Sequence, residues 1–82
     1  VLKQRDDLEV NEAADGLVVY DPEAERVHHL NRSASLVFEL CTGENSEDEI
    51  IDLVTKAFGL DLAPSDEVQQ CLASLSHEGL VR

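Results

Sequence analysis

Two hydrophobic periods divide the chain. The first third alternates in the manner of strands, and the remainder repeats in the manner of helices. Leu17-Val18-Val19-Tyr20 is a β-branched and aromatic run behind the turn pair Asp15-Gly16, and it predicts a strand. Asp21-Pro22-Glu23-Ala24-Glu25 then reads as a turn, and Arg26-Val27-His28-His29-Leu30 as the returning strand. Leu8-Glu9-Val10 is a shorter candidate for a strand preceding this hairpin. Beyond Asn31, a plausible N-cap, the spacing of Leu36, Val37, Leu40 and Cys41 predicts a helix over residues 33–41, ended by Thr42-Gly43. Ser46 and Glu49 form a capping box ahead of Ile50, Ile51, Val54, Ala57 and Phe58, and Gly59 stops that second helix. Pro64 and Ser65 open a third, with Val68, Leu72 and Leu75 on one face and Gly79 breaking it before Leu80-Val81.

The predicted fold class is α+β: three N-terminal antiparallel strands followed by three α-helices, in a winged-helix-like arrangement. A lone hairpin is marginal in water, so the sheet needs the helices as a cover. With 82 residues there is room for a single domain over 1–82, and residues 1–7 are expected to be flexible. So small a chain buries only about 60–65% of its unfolded surface, which favours a surface groove over a deep pocket.

Charge narrows the partners. Eighteen acidic residues against six basic ones give a net charge of −12. Such a chain repels phosphate backbones and anionic lipid headgroups, so neither nucleic acid nor a membrane is an expected partner. The helix faces that would have to enter a DNA groove carry Glu47, Asp48, Asp52, Asp66, Glu67 and Glu78 against the single Lys56. No run approaches a membrane span and no basic–apolar secretory signal is present, so a cytoplasmic location is expected. Cys41 and Cys71 fall on apolar helical faces and read as reduced core cysteines.

Catalytic readings find little support. His28 and His29 are adjacent on a strand and point to opposite faces, so they cannot share a metal ion unaided. His77 has no Cys or His at ligand spacing. There is no glycine-rich phosphate loop and no nucleophile elbow. An acyl-carrier reading fails too, because Ala73-Ser74-Leu75 places alanine where that motif needs an acid and the serine inside a helix. The expectation is a non-enzyme with no cofactor and no metal. What remains is peptide capture: the strand Arg26–Leu30 is placed at a sheet edge, where unpaired N–H and C=O groups can take an extended peptide. The alternative is an edge protected by Arg26 and the two histidines.

The order of motifs resembles the PqqD family. Asp15-Gly16-Leu17-Val18-Val19-Tyr20, the turn, and Arg26-Val27-His28-His29-Leu30-Asn31 with Ser33-Ala34 after it look like that family's hairpin and first helix. Cys41-Thr42-Gly43-Glu44-Asn45-Ser46 before Glu49-Ile50 resembles its turn into the second helix. Lys56-Ala57-Phe58-Gly59 and Leu72, Leu75, Glu78-Gly79-Leu80-Val81 resemble its closing segments. The resemblance implies a peptide chaperone, or RiPP recognition element. Such a module binds the leader of a ribosomally made precursor peptide as an added strand and presents it to a modifying enzyme, such as a radical SAM protein. The His28-His29 pair departs from the aromatic and basic residues common in the third strand. The rival reading is a non-catalytic interaction or regulatory winged-helix domain, and homodimer formation stays open.

On this reading the leader pairs with Arg26, Val27, His28, His29 and Leu30. Leu30 and His28 share the core face, while Val27 and His29 share the other. On the third helix, at about 100° per residue, Glu67, Cys71, Ser74 and Glu78 form a stripe beside the core line of Val68, Leu72 and Leu75. The expected peptide site comprises these four residues, Leu75 and the strand. An apolar leader side chain suits Cys71, with basic residues toward Glu67 or Glu78.

Overall fold

In the computed structural model, which describes residues 1–82, the chain runs β1 (Glu9–Ala13), β2 (Gly16–Asp21), β3 (Arg26–Asn31), α1 (Arg32–Leu40), α2 (Glu47–Ala57) and α3 (Ser65–His77). The strands form one antiparallel sheet in the order β1-β2-β3. The α+β expectation therefore holds. β1 lies later than the Leu8–Val10 pattern suggested, because pairing rather than apolar content fixes it. Ala13 opposes Gly16 across a two-residue turn at Ala14-Asp15, and the register runs out to Glu9 opposite Tyr20. Leu8 instead packs against the core just before the strand.

One sheet face meets the helices. Leu17 and Val19 point there and are buried with Val37, Phe38, Ile50, Val54, Leu72 and Leu75, and Leu80 and Val81 complete the core. Each helix start follows from local chemistry. Asn31 Oδ1 accepts from the backbone N–H of Ala34 at 2.9 Å, so the last residue of β3 is also the cap of α1. At α2 the capping box forms in both directions, with Ser46 Oγ accepting from Glu49 N–H at 3.2 Å and Glu49 Oε1 accepting from Ser46 N–H at 2.9 Å. At α3, Pro64 occupies the cap position and no side chain caps the helix. Helix α2 ends at Ala57, and Phe58, expected on its buried face, is 40% exposed.

The first residues, expected to be flexible, make specific contacts with the rest of the domain: the backbone of Lys3 both donates to and accepts from Arg82 at 2.8 Å. Gln4 N–H donates to Cys41 O at 2.9 Å, and its side chain donates to Phe38 O at 2.9 Å. Arg5 N–H donates to Leu80 O at 3.2 Å. The Arg5 guanidinium donates to Asp21 Oδ2 at 2.7 Å, Gly79 O at 3.1 Å and Glu23 Oε2 at 3.0 Å, and it also pairs with Asp7. Asp21 is buried and accepts further bonds from the backbone of Glu23 and Ala24. This one cation thus joins the N-terminal segment, the end of β2, the β2–β3 turn and the end of α3. The bond from Arg5 holds the Asp21 carboxyl below the usual carboxylate range.

Candidate functional site: the cleft between the third strand and the third helix

β3 pairs only with β2, so its other side is a free edge on which alternate residues turn N–H and C=O outward. Both ends of this strand are fixed. At Asn31 the register brings Gly16 so close that a Cβ there would lie 1.9 Å from Leu30 O and 2.8 Å from Ser35 Oγ. Only glycine fits beside that carbonyl. The Ser35 hydroxyl itself donates to Leu30 O at 3.1 Å, pinning the strand to α1. At the opposite end Arg26 faces Asp21, whose carboxylate is locked by Arg5.

Along this strand α3 forms the second wall of a cleft of about 330 Å³. Val27, His28, His29 and Leu30 line it from the strand, and Cys71, Ser74, Leu75 and Glu78 line it from the helix. Eight of the ten expected site residues thus converge on one cleft. Arg26 stands at its end, with Nη1 3.6 Å from Glu78 Oε2. Glu67 falls outside it and borders an adjoining cavity of about 460 Å³. The two hollows share Ala34, Cys71 and Ser74, so the helix stripe runs through both. The strand faces fall as expected: His28 and Leu30 are half-buried on the core side, while Val27 is 56% exposed and His29 is exposed. Leu75 is itself buried and serves as the floor.

Sequence reasoning missed the second cavity. Asn31, Ser33, Val37, Val54, Phe58, Leu60 and Pro64 border it. A signal was present, because Leu60 and Leu62 lie beyond the glycine stop of α2, where no helical period accounts for them, and both are exposed, as is Phe58. Ala34 and Leu80 also line the first cleft and were not among the expected site residues.

Cys71 is a half-buried free thiol whose pKa burial pushes up. Cys41 lies in the core, its thiol pushed up to about 11 by burial and donating to Val37 O at 3.3 Å. No three His, Cys, Asp or Glu side chains gather as a metal site would require. No helix is long and apolar enough to cross a membrane.

Comparison with known proteins agrees with this architecture. Among solved structures, TbiB1 in complex with the TbiA(β) leader peptide superposes with a TM-score of 0.81 at 18% identity, covering 98% of this chain and 94% of that one. Lasso peptide synthetase B1 complexed with the leader peptide gives a TM-score of 0.80 at 17% identity, covering 99% of this chain and 96% of that one. At such identities the likeness establishes the fold. No curated protein sequence matches. Residues 16–81 match the family described as coenzyme PQQ synthesis protein D (PqqD), a span from the glycine beneath β3 to the valine that closes the core, and the chain belongs to the PqqD family.

Proposed function

We propose that this domain is a RiPP recognition element, a peptide chaperone that takes the leader of a ribosomally made precursor peptide as a fourth strand on the free edge of β3. It presents the peptide to a modifying enzyme, for which a radical SAM protein is the expected class. The observation that carries this reading is the conjunction of an unpaired strand edge with a cleft of side-chain depth running beside it. Main-chain pairing supplies affinity without regard to sequence, and the cleft receives every second side chain and supplies selectivity. Family membership and the leader-bound state of the two solved relatives support the same reading. Residues 1–82 act as one binding unit, since the N-terminal segment is fastened to the helices by Arg5.

The test is a nitrogen–proton NMR titration with short peptides encoded beside the gene. Saturable shifts along Arg26–Leu30 and at Cys71, Ser74 and Glu78 are expected. Shifts confined to other surfaces would overturn the placement. An absence of binding with every neighbouring peptide, with and without the neighbouring enzyme, would favour an interaction or regulatory domain.

A further inference from the structure

His28 sits oddly in its surroundings. It lies on the core side of β3 opposite Val19, which is wholly buried. Its Nε2 is shielded from solvent and has no hydrogen-bond partner. A buried polar atom left unpaired is destabilising, because it gives up its bond to water and gains none in return. An aliphatic residue on this face of the strand would avoid that loss, so the folded free domain alone gives the imidazole nothing to do.

Two of the polar groups nearby are already committed. Glu78 faces Arg26 at 3.6 Å across the cleft mouth. Ser35 gives its hydroxyl to Leu30 O. On the α3 wall Ser74 is exposed, shares the cleft with His28 and makes no hydrogen bond through its side chain, while His29, equally unbonded, points from the opposite face of β3. The cleft therefore offers polar atoms from both walls within a mainly apolar lining.

We propose that His28, with Ser74 across from it, is a specificity-determining residue that selects a neutral hydrogen-bonding side chain, Asn, Gln, Ser or Thr, at one position of the captured peptide. The inference rests on peptide capture by β3 and adds the chemistry of one subsite to it. An extended peptide sends alternate side chains to one face, so one of them meets the level of His28. An aliphatic side chain there leaves Nε2 unpaired. A carboxylate meets the repulsion of Glu78 and of a chain bearing a net charge of −12. A cation is drawn to Glu78 and leaves the imidazole unanswered. A neutral amide or hydroxyl can bond to either tautomer of the ring. Sites built around a hydrogen bond reject analogues that lack it far more strongly than apolar pockets reject an extra methylene.

The experiment is selection of a phage library of short random peptides on the wild-type domain, His28→Leu, His28→Gln and Cys71→Arg, each checked for folding by circular dichroism. Peptides enriched by the wild type and by His28→Gln should share a neutral polar residue at one fixed position. Those enriched by His28→Leu should carry an aliphatic residue there. Affinities of a matched pair of synthetic peptides should favour the polar member by about tenfold or more on the wild type and reverse on His28→Leu. The imidazole nitrogen resonances of His28 should move with the polar peptide and not with its aliphatic counterpart. Identical consensus residues on wild type and His28→Leu, with Cys71→Arg abolishing enrichment, would overturn the role of His28 and leave cleft capture standing. Enrichment insensitive to Cys71→Arg, or no enrichment on the wild type, would overturn cleft capture and the subsite with it.

Discussion

The sheet has two free edges, and they differ in almost everything that matters for binding. β1 is five residues long and exposed throughout, with Glu9 and Glu12 among its residues and no helix packed against it. β3 has half-buried His28 and Leu30 on its inner face and α3 beyond its outer edge. Its ends are clamped, by Gly16 and Ser35 near Leu30 and by the Arg5–Asp21 pair near Arg26. Unpaired backbone groups alone do not make a peptide site, since β1 has them too. The difference is a held strand with a second wall: less ordering remains to be done on binding, and side chains have somewhere to go.

The largest effect is expected where one clamp is broken. Gly16→Ala puts a Cβ 1.9 Å from Leu30 O, at a φ of +157° that side chains rarely adopt. The β2–β3 register or the start of α1 has to move. We expect about 3 kcal/mol or more of destabilisation, read as a lower urea midpoint, together with loss of peptide binding. A variant that kept both would show that β3 needs no clamp at this end.

The other clamp can be tested by pH. The Asp21 carboxyl is held below its ordinary range chiefly by the bond from Arg5. A carboxylate with a depressed folded-state pKa contributes stability fully above its unfolded value, near 4, and loses it as pH falls toward the folded value. Wild type should therefore exceed Asp21→Asn in unfolding free energy at neutral pH, and the gap should shrink below about pH 4. A gap that stayed constant into acid would mean that Asp21 acts through its shape and backbone bonds rather than its charge.

Within the cleft the expected effects are on affinity and not on fold. Cys71→Arg places a long cation in the hollow shared by both cavities. It should weaken leader binding by about 2 kcal/mol, roughly thirtyfold, in a variant with unchanged circular dichroism. Glu78→Lys should do less, because Glu78 is 40% exposed on its side chain and its pairing with Arg26 is open to solvent. About a threefold loss for a basic leader, vanishing at high salt, is the expectation by isothermal titration. Equal affinities for the wild type and both folded variants would remove the leader from this cleft.

Much of this comparison was legible in the sequence, for identifiable reasons. The strong alternation of residues 17–30 and the Ser46–Glu49 capping box are local signals, and they specified the strands and the start of α2. A period of two on the strand and 3.6 on the helix put His28 and Leu30 on the core face and Cys71, Ser74 and Glu78 on one stripe. Non-local features left no such trace. Arg5 reads as a surface charge until its partners Asp21 and Gly79 are brought to it from 16 and 74 residues away. The glycine of Asp15-Gly16 reads as a turn residue, whereas its missing Cβ makes room for Leu30 O across the sheet. Phe58 fits the helical period of α2, yet the helix ends one residue before it, which turns a core expectation into a cavity wall.

The smallest predicted effect is the one that most sharpens the contrast between the edges. Val10→Lys and Glu12→Lys alter β1 on the side that faces the core layer, at positions paired with Val19 and Leu17. Both β1 side chains are exposed, so neither change should alter the fold. If peptide capture needs only a free edge and a favourable charge, lysines on β1 will repel a basic leader and reduce its binding there. If it needs the wall supplied by α3, affinity should stay within about twofold of wild type, the scale of a distant and screened surface charge. Titration of both variants beside Cys71→Arg measures the two edges against each other under one set of conditions. A loss on β1 as large as that at Cys71 would mean that the sheet, and not the cleft, is what binds.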